Sequence, residues 1–191
     1  MDAELALWMT NIAKVDPGSF VFDPFVGSGS LLLTSAHYGA MCLGSDINYN
    51  VMMALGKSAR MGQGDRKPEE TLRGSLAHFG LENAYIGAAI IDNNINPWRC
   101  NADSGWFDAI ITDPPYGVRE KCEKVGSTNH RDDWINFEMP ENHYPDKVSY
   151  ELHDVFKDLL IFAHRHLKLN GRLVFWFPVA REELKGFFVL I

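Results

Sequence analysis

Four short apolar runs, residues 19–23, 41–45, 85–91 and 107–112, each deliver the chain to an aspartate: Asp23, Asp46, Asp92 and Asp113. Continuous apolar runs of this length suit strands buried on both faces, as in a parallel sheet. Between them apolar residues recur at helical spacing over 2–14, with Asp2 as N-cap, over 30–38, stopped by Gly39, over 48–60, and over 69–79, closed by Gly80. A polar stretch, 114–148, is expected to be loop. A helix over 149–167, a turn at Asn170-Gly171 and a strand over 172–177 follow. The expected architecture is α/β, a mostly parallel sheet with helices on both faces. Such sheets bind ligands beyond the carboxyl ends of their strands, so the four aspartates mark the candidate site.

With 191 residues, 46% of them hydrophobic and 23% charged, the chain is expected to form one domain with its own core. No run approaches the ~20 apolar residues that span a bilayer. The MDAELALWM start lacks the basic segment of a secretory signal. Cys42, Cys100 and Cys122 are odd in number and lack C-x-x-C spacing, so they read as free thiols in a reducing, cytoplasmic setting, with no metal site. The net charge of −7 is concentrated in residues 132–158, where eight acids face Lys147 and Lys157. This is not a nucleic-acid binder's basic footprint; for such a substrate, another domain or subunit would supply most of the phosphate grip.

The first strand runs into Asp23-Pro24-Phe25-Val26-Gly27-Ser28-Gly29-Ser30. Gly27 and Gly29 allow a tight turn and a close ligand approach. Asp46, 19 residues after Gly27, stands where a carboxylate accepts from both hydroxyls of a ribose. Leu32 occupies the third glycine position of the dinucleotide fingerprint, and Asp23 would repel a phosphate while attracting an ammonium or sulfonium. Both count against a nicotinamide-type oxidoreductase and favour a nucleoside cofactor such as S-adenosylmethionine. Phe25 either lines this pocket or packs in the core. Asp92 either accepts from an adenine amine or caps a turn.

Thr112-Asp113-Pro114-Pro115-Tyr116-Gly117 follows the fourth strand. Two prolines forbid strand continuation and hold an extended backbone. An exocyclic amine can donate one hydrogen to the Asp113 carboxylate and the other to the Pro114 carbonyl, while Tyr116 offers a face for an extruded base. Holding both hydrogens aims the nitrogen lone pair at an electrophilic methyl, where positioning supplies much of the rate. Asp113 is also placed to accept the proton released.

Taken in order, D-P-F-x-G-x-G, S-D-I-N and D-P-P-Y-G resemble class I S-adenosylmethionine-dependent amino-methyltransferases. With NPWR, FDAIITDPPYGVRE and GRLVFWFPV, the chain from Asp2 to about Val179 resembles the catalytic subunits of tRNA guanosine N2-methyltransferases acting on guanosine 10. The resemblance implies a Rossmann-like methyltransferase fold, with Asp46 and Asp92 on the cofactor's ribose and adenine and Asp113, Pro114 and Tyr116 on the target guanine. It implies tRNA and a small zinc-containing activator subunit as partners. The family's upstream THUMP-type RNA-binding region has no counterpart here. Residues 186–191 are expected as a sixth strand with no seventh, so a sheet truncated at its C-terminal strands is expected. The remaining alternatives are a non-catalytic truncated form or another nucleic-acid amino-methyltransferase.

Arg119, Lys121, Lys124, Asn129, His130 and Arg131 either meet RNA phosphates or sit in a solvated loop. His130 and His143 have no ligand spacing. His164 and His166 are expected to complement the C-terminal dipole of the last helix.

Overall fold

In the computed structural model the described residues are 1–56, 64–99, 105–117, 121–126 and 146–179. Arg119, Asn129, His130, Arg131, His143, Cys100 and the strand expected at 186–191 lie outside them. The element order is α1 (Ala3–Ile12), β1 (Phe20–Asp23), α2 (Ser30–His37), β2 (Met41–Asp46), α3 (Tyr49–Met52), α4 (Leu72–His78), β3 (Tyr85–Ile90), β4 (Phe107–Thr112), β5 (Glu123–Val125), β6 (Lys147–Ser149), α5 (Leu152–His166) and β7 (Leu167–Phe175). Five strands form one parallel sheet in the order β3-β2-β1-β4-β7. The chain builds outward from β1 through β2 to β3, then crosses back to β4. The order therefore reverses between β1 and β4, which opens a crevice at their carboxyl ends.

Side-chain alternation along the strands divides the core in two. Val21, Cys42, Ala109 and Ile111 face one way, against Ala6 and Met9 of α1, Leu31, Leu32 and Ala36 of α2, and Leu72 and Leu76 of α4. Phe22 and Ile110 belong to the other cluster, with Phe107 and with Phe162 and Ala163 of α5. The Phe22 and Phe107 rings stack at 4.7 Å, and Trp98 meets Phe22 edge-on at 5.5 Å.

The Asp2 carboxylate caps α1 by accepting from the Glu4 N–H at 2.9 Å. The helix expected over 48–60 is shorter, because after Met52 the backbone turns left-handed at Ala54 (φ +52°) and Gly56 (φ +74°). Arg66 Nη1 then takes the Val51 carbonyl at 3.3 Å. In the next helix the Thr71 hydroxyl accepts from Gly74 N–H, so α4 begins at Leu72 and only a 3-10 turn precedes it. The polar stretch 114–148 carries β5 and most of its antiparallel partner β6, whose last residue, Ser149, was expected in the last helix; α5 begins at Leu152. Sequence periodicity cannot report so short a ladder, whose partners are far apart along the chain.

The last strand begins at Leu167, five residues early, and its pairing with β4 jumps from Phe107–Leu167 to Ala109–Arg172. The skipped residues carry the expected Asn170 turn (φ +66°) as a bulge. Lys168 Nζ crosses to the Asp108 carboxylate at 2.8 Å, and Asp108 also accepts from Phe20 N–H at 2.7 Å. His166 does not serve as an exposed cap. It is buried over Phe162 and Phe107, its Nε2 lies 2.9 Å from Asn96 Nδ2, and burial, with Arg165 adding to it, lowers its pKa. The aromatic cluster therefore takes a neutral ring.

Leu32 finds its place through Gly44 on β2. A Cβ at Gly44 would sit 2.8 Å from Val26 Cγ2 and 3.0 Å from Leu32 Cδ1. The close helix–strand approach that the dinucleotide pattern obtains from a third glycine on the helix is here supplied by a glycine on the strand. Gly44→Ala is expected to destabilise the fold by about 1–3 kcal/mol through overpacking, read as a lower urea midpoint at unchanged slope.

Candidate functional site

The glycine loop lies over the carboxyl ends of β1 and β2 because their last residues hold it there. Asp23 is buried, and its Oδ1 accepts from the Thr112 hydroxyl at 2.6 Å and from Phe25 N–H at 3.0 Å. The first bond ties β1 to β4 and the second starts the turn. The Asp46 carboxylate accepts from Gly27 N–H with Oδ2 and from Asn48 N–H with Oδ1, both at 2.8 Å. Val26 N–H donates to the Ser45 carbonyl at 2.9 Å. Gly27 (φ +51°) has nothing within 4 Å of where a Cβ would stand, so the loop is open on that side. Gly29 (φ +87°) precedes α2 and passes so close to α4 that a Cβ there would meet Leu72 Cδ1 at 2.5 Å.

Each oxygen of Asp92 accepts a backbone N–H: Oδ1 from Asn94 at 2.9 Å and Oδ2 from Val125 at 2.7 Å. The turn-capping geometry is thus present, and β5 is pinned by the same carboxylate. Asn93, which sequence reasoning did not single out, joins three strand ends. Its Oδ1 accepts from the Ser45 hydroxyl at 3.1 Å, and its Nδ2 donates to the Pro24 carbonyl.

Asp113 follows β4 directly and is half-buried, Pro114 is buried, and Pro115 and Tyr116 are half-buried. At Gly117 (φ +81°) the backbone turns away. The Cys122 thiol donates to the Pro115 carbonyl at 3.0 Å and so fixes the loop from outside.

Two clefts adjoin. The first is lined by Pro24, Phe25, Ile47, Asp92, Asn93 and Tyr150, with α5 behind it. The second is lined by Tyr116, Gly117, Lys121, Cys122, Ser149 and Tyr150. Ile47 and Asn93 each follow a strand-end acid, a position the sequence could have flagged. Tyr150 and Asp158 are distant in sequence from every motif and carried no such mark. Lys124 leans over the Tyr150 ring at 5.0 Å instead of extending outward.

Three carboxyl groups gather at these neighbouring strand ends. Burial pushes the Asp23 carboxyl up to about 7; the bonds from Thr112 and Phe25 oppose this, and the Asp46 and Asp113 carboxylates add to it. A cation near the loop would relieve that crowding, whereas a pyrophosphate would worsen it. With the open face of Gly27, this donor set suits a nucleoside carrying an ammonium or sulfonium.

Residues 1–129 match the family model UPF0020, described as RMKL-like, methyltransferase domain. Among curated proteins, the chain is 48% identical over 183 residues to the tRNA (guanine(10)-N(2))-methyltransferase TRMT11 of Mus musculus, and 46% identical over 184 residues to that of Xenopus laevis. Each alignment covers 96% of this chain, which spans 39% and 37% of the length of these relatives. A solved methyltransferase subunit of a type I restriction-modification system from Streptococcus thermophilus covers 92% of this chain and 33% of its own. Its TM-score is 0.55 at 20% identity, a likeness of fold.

Folded Asp23 holds its proton to about pH 7, whereas an unperturbed carboxyl releases it near 3.8. Between those values the folded state binds the extra proton, so stability should fall as pH rises from about 4 to 7 and level off above. This group contributes at most about 1.4 kcal/mol per pH unit. Asp23→Asn, compared by urea denaturation at pH 5 and pH 7.5, should flatten that slope; an unchanged slope would assign it to other groups.

Proposed function

Because the chain belongs to the UPF0020 family of RMKL-like methyltransferase domains, we propose that it transfers a methyl group from S-adenosylmethionine to the exocyclic N2 amine of a guanosine in tRNA, at position 10. The observation that carries this reading is the placement of Asp113-Pro114-Pro115-Tyr116 at the end of β4, across the crevice from the glycine loop of β1. The relatives' names support the substrate, since both are tRNA guanine-10 N2-methyltransferases at 46–48% identity. The acid cluster of Asp23, Asp46 and Asp113 supports a cationic cofactor.

The cofactor supplies an electrophilic methyl on sulfur. Asp46 holds ribose hydroxyls: its carboxylate stands at the end of β2, where its bonds to the Gly27 and Asn48 N–H groups fix it beside the glycine loop. Phe25, Gly27 and Gly29 wall the loop side, and Asp92 meets the adenine. At the acceptor, the Asp113 carboxylate and the Pro114 carbonyl each take one N–H of the amine, and Tyr116 stacks on the base. Pro115 holds the loop extended between them. As the nitrogen gains the methyl, the carbon–sulfur bond of the sulfonium would break with its electron pair left on sulfur, and Asp113 receives the proton that the nitrogen loses.

tRNA and a small zinc-containing activator subunit are the proposed partners. Among the described residues, no helix is long and apolar enough to cross a membrane. A cytoplasmic location is proposed with the rest.

S-adenosylhomocysteine at a hundred times its dissociation constant should stabilise the fold by about 2.7 kcal/mol, seen as a rise of several degrees in Tm. NAD should leave Tm unchanged; a shift with NAD alone would sink the proposal. Asp113→Ala should abolish methyl transfer to a guanosine-10 tRNA while S-adenosylhomocysteine affinity stays within about twofold. Loss of both together would refute the division of roles.

A further inference from the structure

Tyr150 is a wall of both clefts. On one side it faces the space beside Phe25, Asp92 and Asn93; on the other, the space beside Tyr116, Gly117 and Cys122. Only 7% of it is exposed, and contacts from residues 122–124 on one side and from α5 on the other hold it. Its N–H donates to the Cys122 carbonyl at 2.9 Å, its hydroxyl donates to the Asp158 carboxylate on α5, and its ring carries Lys124 Nζ at 5.0 Å. Cys122 in turn holds the Pro115 carbonyl, and Val125, three residues on, holds Asp92. Pro115 in the target-base loop and Asp92 at the end of β3 are thus connected through residues 122–125, and Tyr150, which follows the paired strand β6, ties that segment to α5 through its N–H to Cys122 and its hydroxyl to Asp158.

From this geometry we propose that Tyr150 is a positioning residue for methyl transfer, and that its hydroxyl, anchored on Asp158, sets the spacing between the cofactor cleft and the target-base cleft. The inference rests on the methyltransferase reading above and adds to it a residue outside every motif. Burial and the Asp158 charge raise the phenol's pKa, so it stays a donor throughout the working range. In-line displacement at a sulfonium methyl tolerates little error in donor–acceptor separation, so a small shift of the strand would cost rate more than binding. Loss of one hydroxyl leaves the ring, and hence the wall, in place.

The test compares Tyr150→Phe and Asp158→Asn in the native protein. It measures single-turnover methyl transfer to guanosine-10 tRNA at saturating substrates, S-adenosylhomocysteine affinity by calorimetry, and Tm. Tyr150→Phe should slow the saturated rate by about tenfold with affinity held within about twofold. Asp158→Asn keeps an oxygen acceptor and should retain most of the rate. A purely structural role would lower Tm, affinity and rate together. That pattern, or a Tyr150→Phe rate equal to wild type, overturns the inference and leaves the methyltransferase reading standing. A native protein that binds S-adenosylhomocysteine yet methylates no tRNA overturns both.

Discussion

The 2.6 Å bond from the Thr112 hydroxyl to the Asp23 carboxylate joins β1 to β4 at the point where the strand order reverses. Both residues are buried, so neither could leave its polar group unpaired without a large desolvation cost. The same carboxylate oxygen then turns the chain at Phe25 and begins the glycine loop. The placement of the glycine-loop side of the crevice follows from this pair. Asp46 repeats the device one strand away, by binding the loop at Gly27 and the start of α3 at Asn48.

Burying an acid at this strand end carries a cost, visible in the Asp23 carboxyl, which burial first and the Asp46 and Asp113 carboxylates second hold near 7. A fold selected for stability alone would gain by replacing an acid in that position. An acid in that position suits a cationic ligand, whose charge would offset both the burial and the neighbouring carboxylates. This links the local electrostatics to the choice of cofactor: the arrangement disfavours phosphates, and Leu32 packed against Gly44 has closed the space that a dinucleotide helix leaves to a glycine.

The small β5–β6 sheet shows how an apparently irregular segment becomes part of a site. It has only three residues in each strand and would not persist alone. It is held by contacts from outside: Asp92 to Val125, Cys122 to Pro115, and Tyr150 to Asp158. These anchors come from β3, from the loop after β4 and from α5. The two clefts therefore share a wall that depends on both being correctly formed.

The alternation of buried strands with helices and the aspartate at each strand end were legible in the sequence, because hydrophobic period and turn chemistry are local. The same holds for the glycine loop and the double proline after Asp113, whose backbone restrictions act within a few residues. Other features were not legible, because they depend on residues distant in sequence. The burial of His166 in an aromatic cluster, the early start of β7 and the β5–β6 pair were all decided by contacts with residues tens of positions away. Sequence placed Asp92 at a strand end and left its partner open; the fold brought Val125 to it. Tyr150 shows the division most clearly. It bears no motif, and it becomes the partition between two clefts only because an antiparallel pair and α5 meet at its ring. Sequence alone determined which chemistry stands at the strand ends, since residue type and local conformation are written there. Tertiary structure decided how those groups are spaced and shielded, since burial and hydrogen-bond partners exist only once the chain has closed on itself.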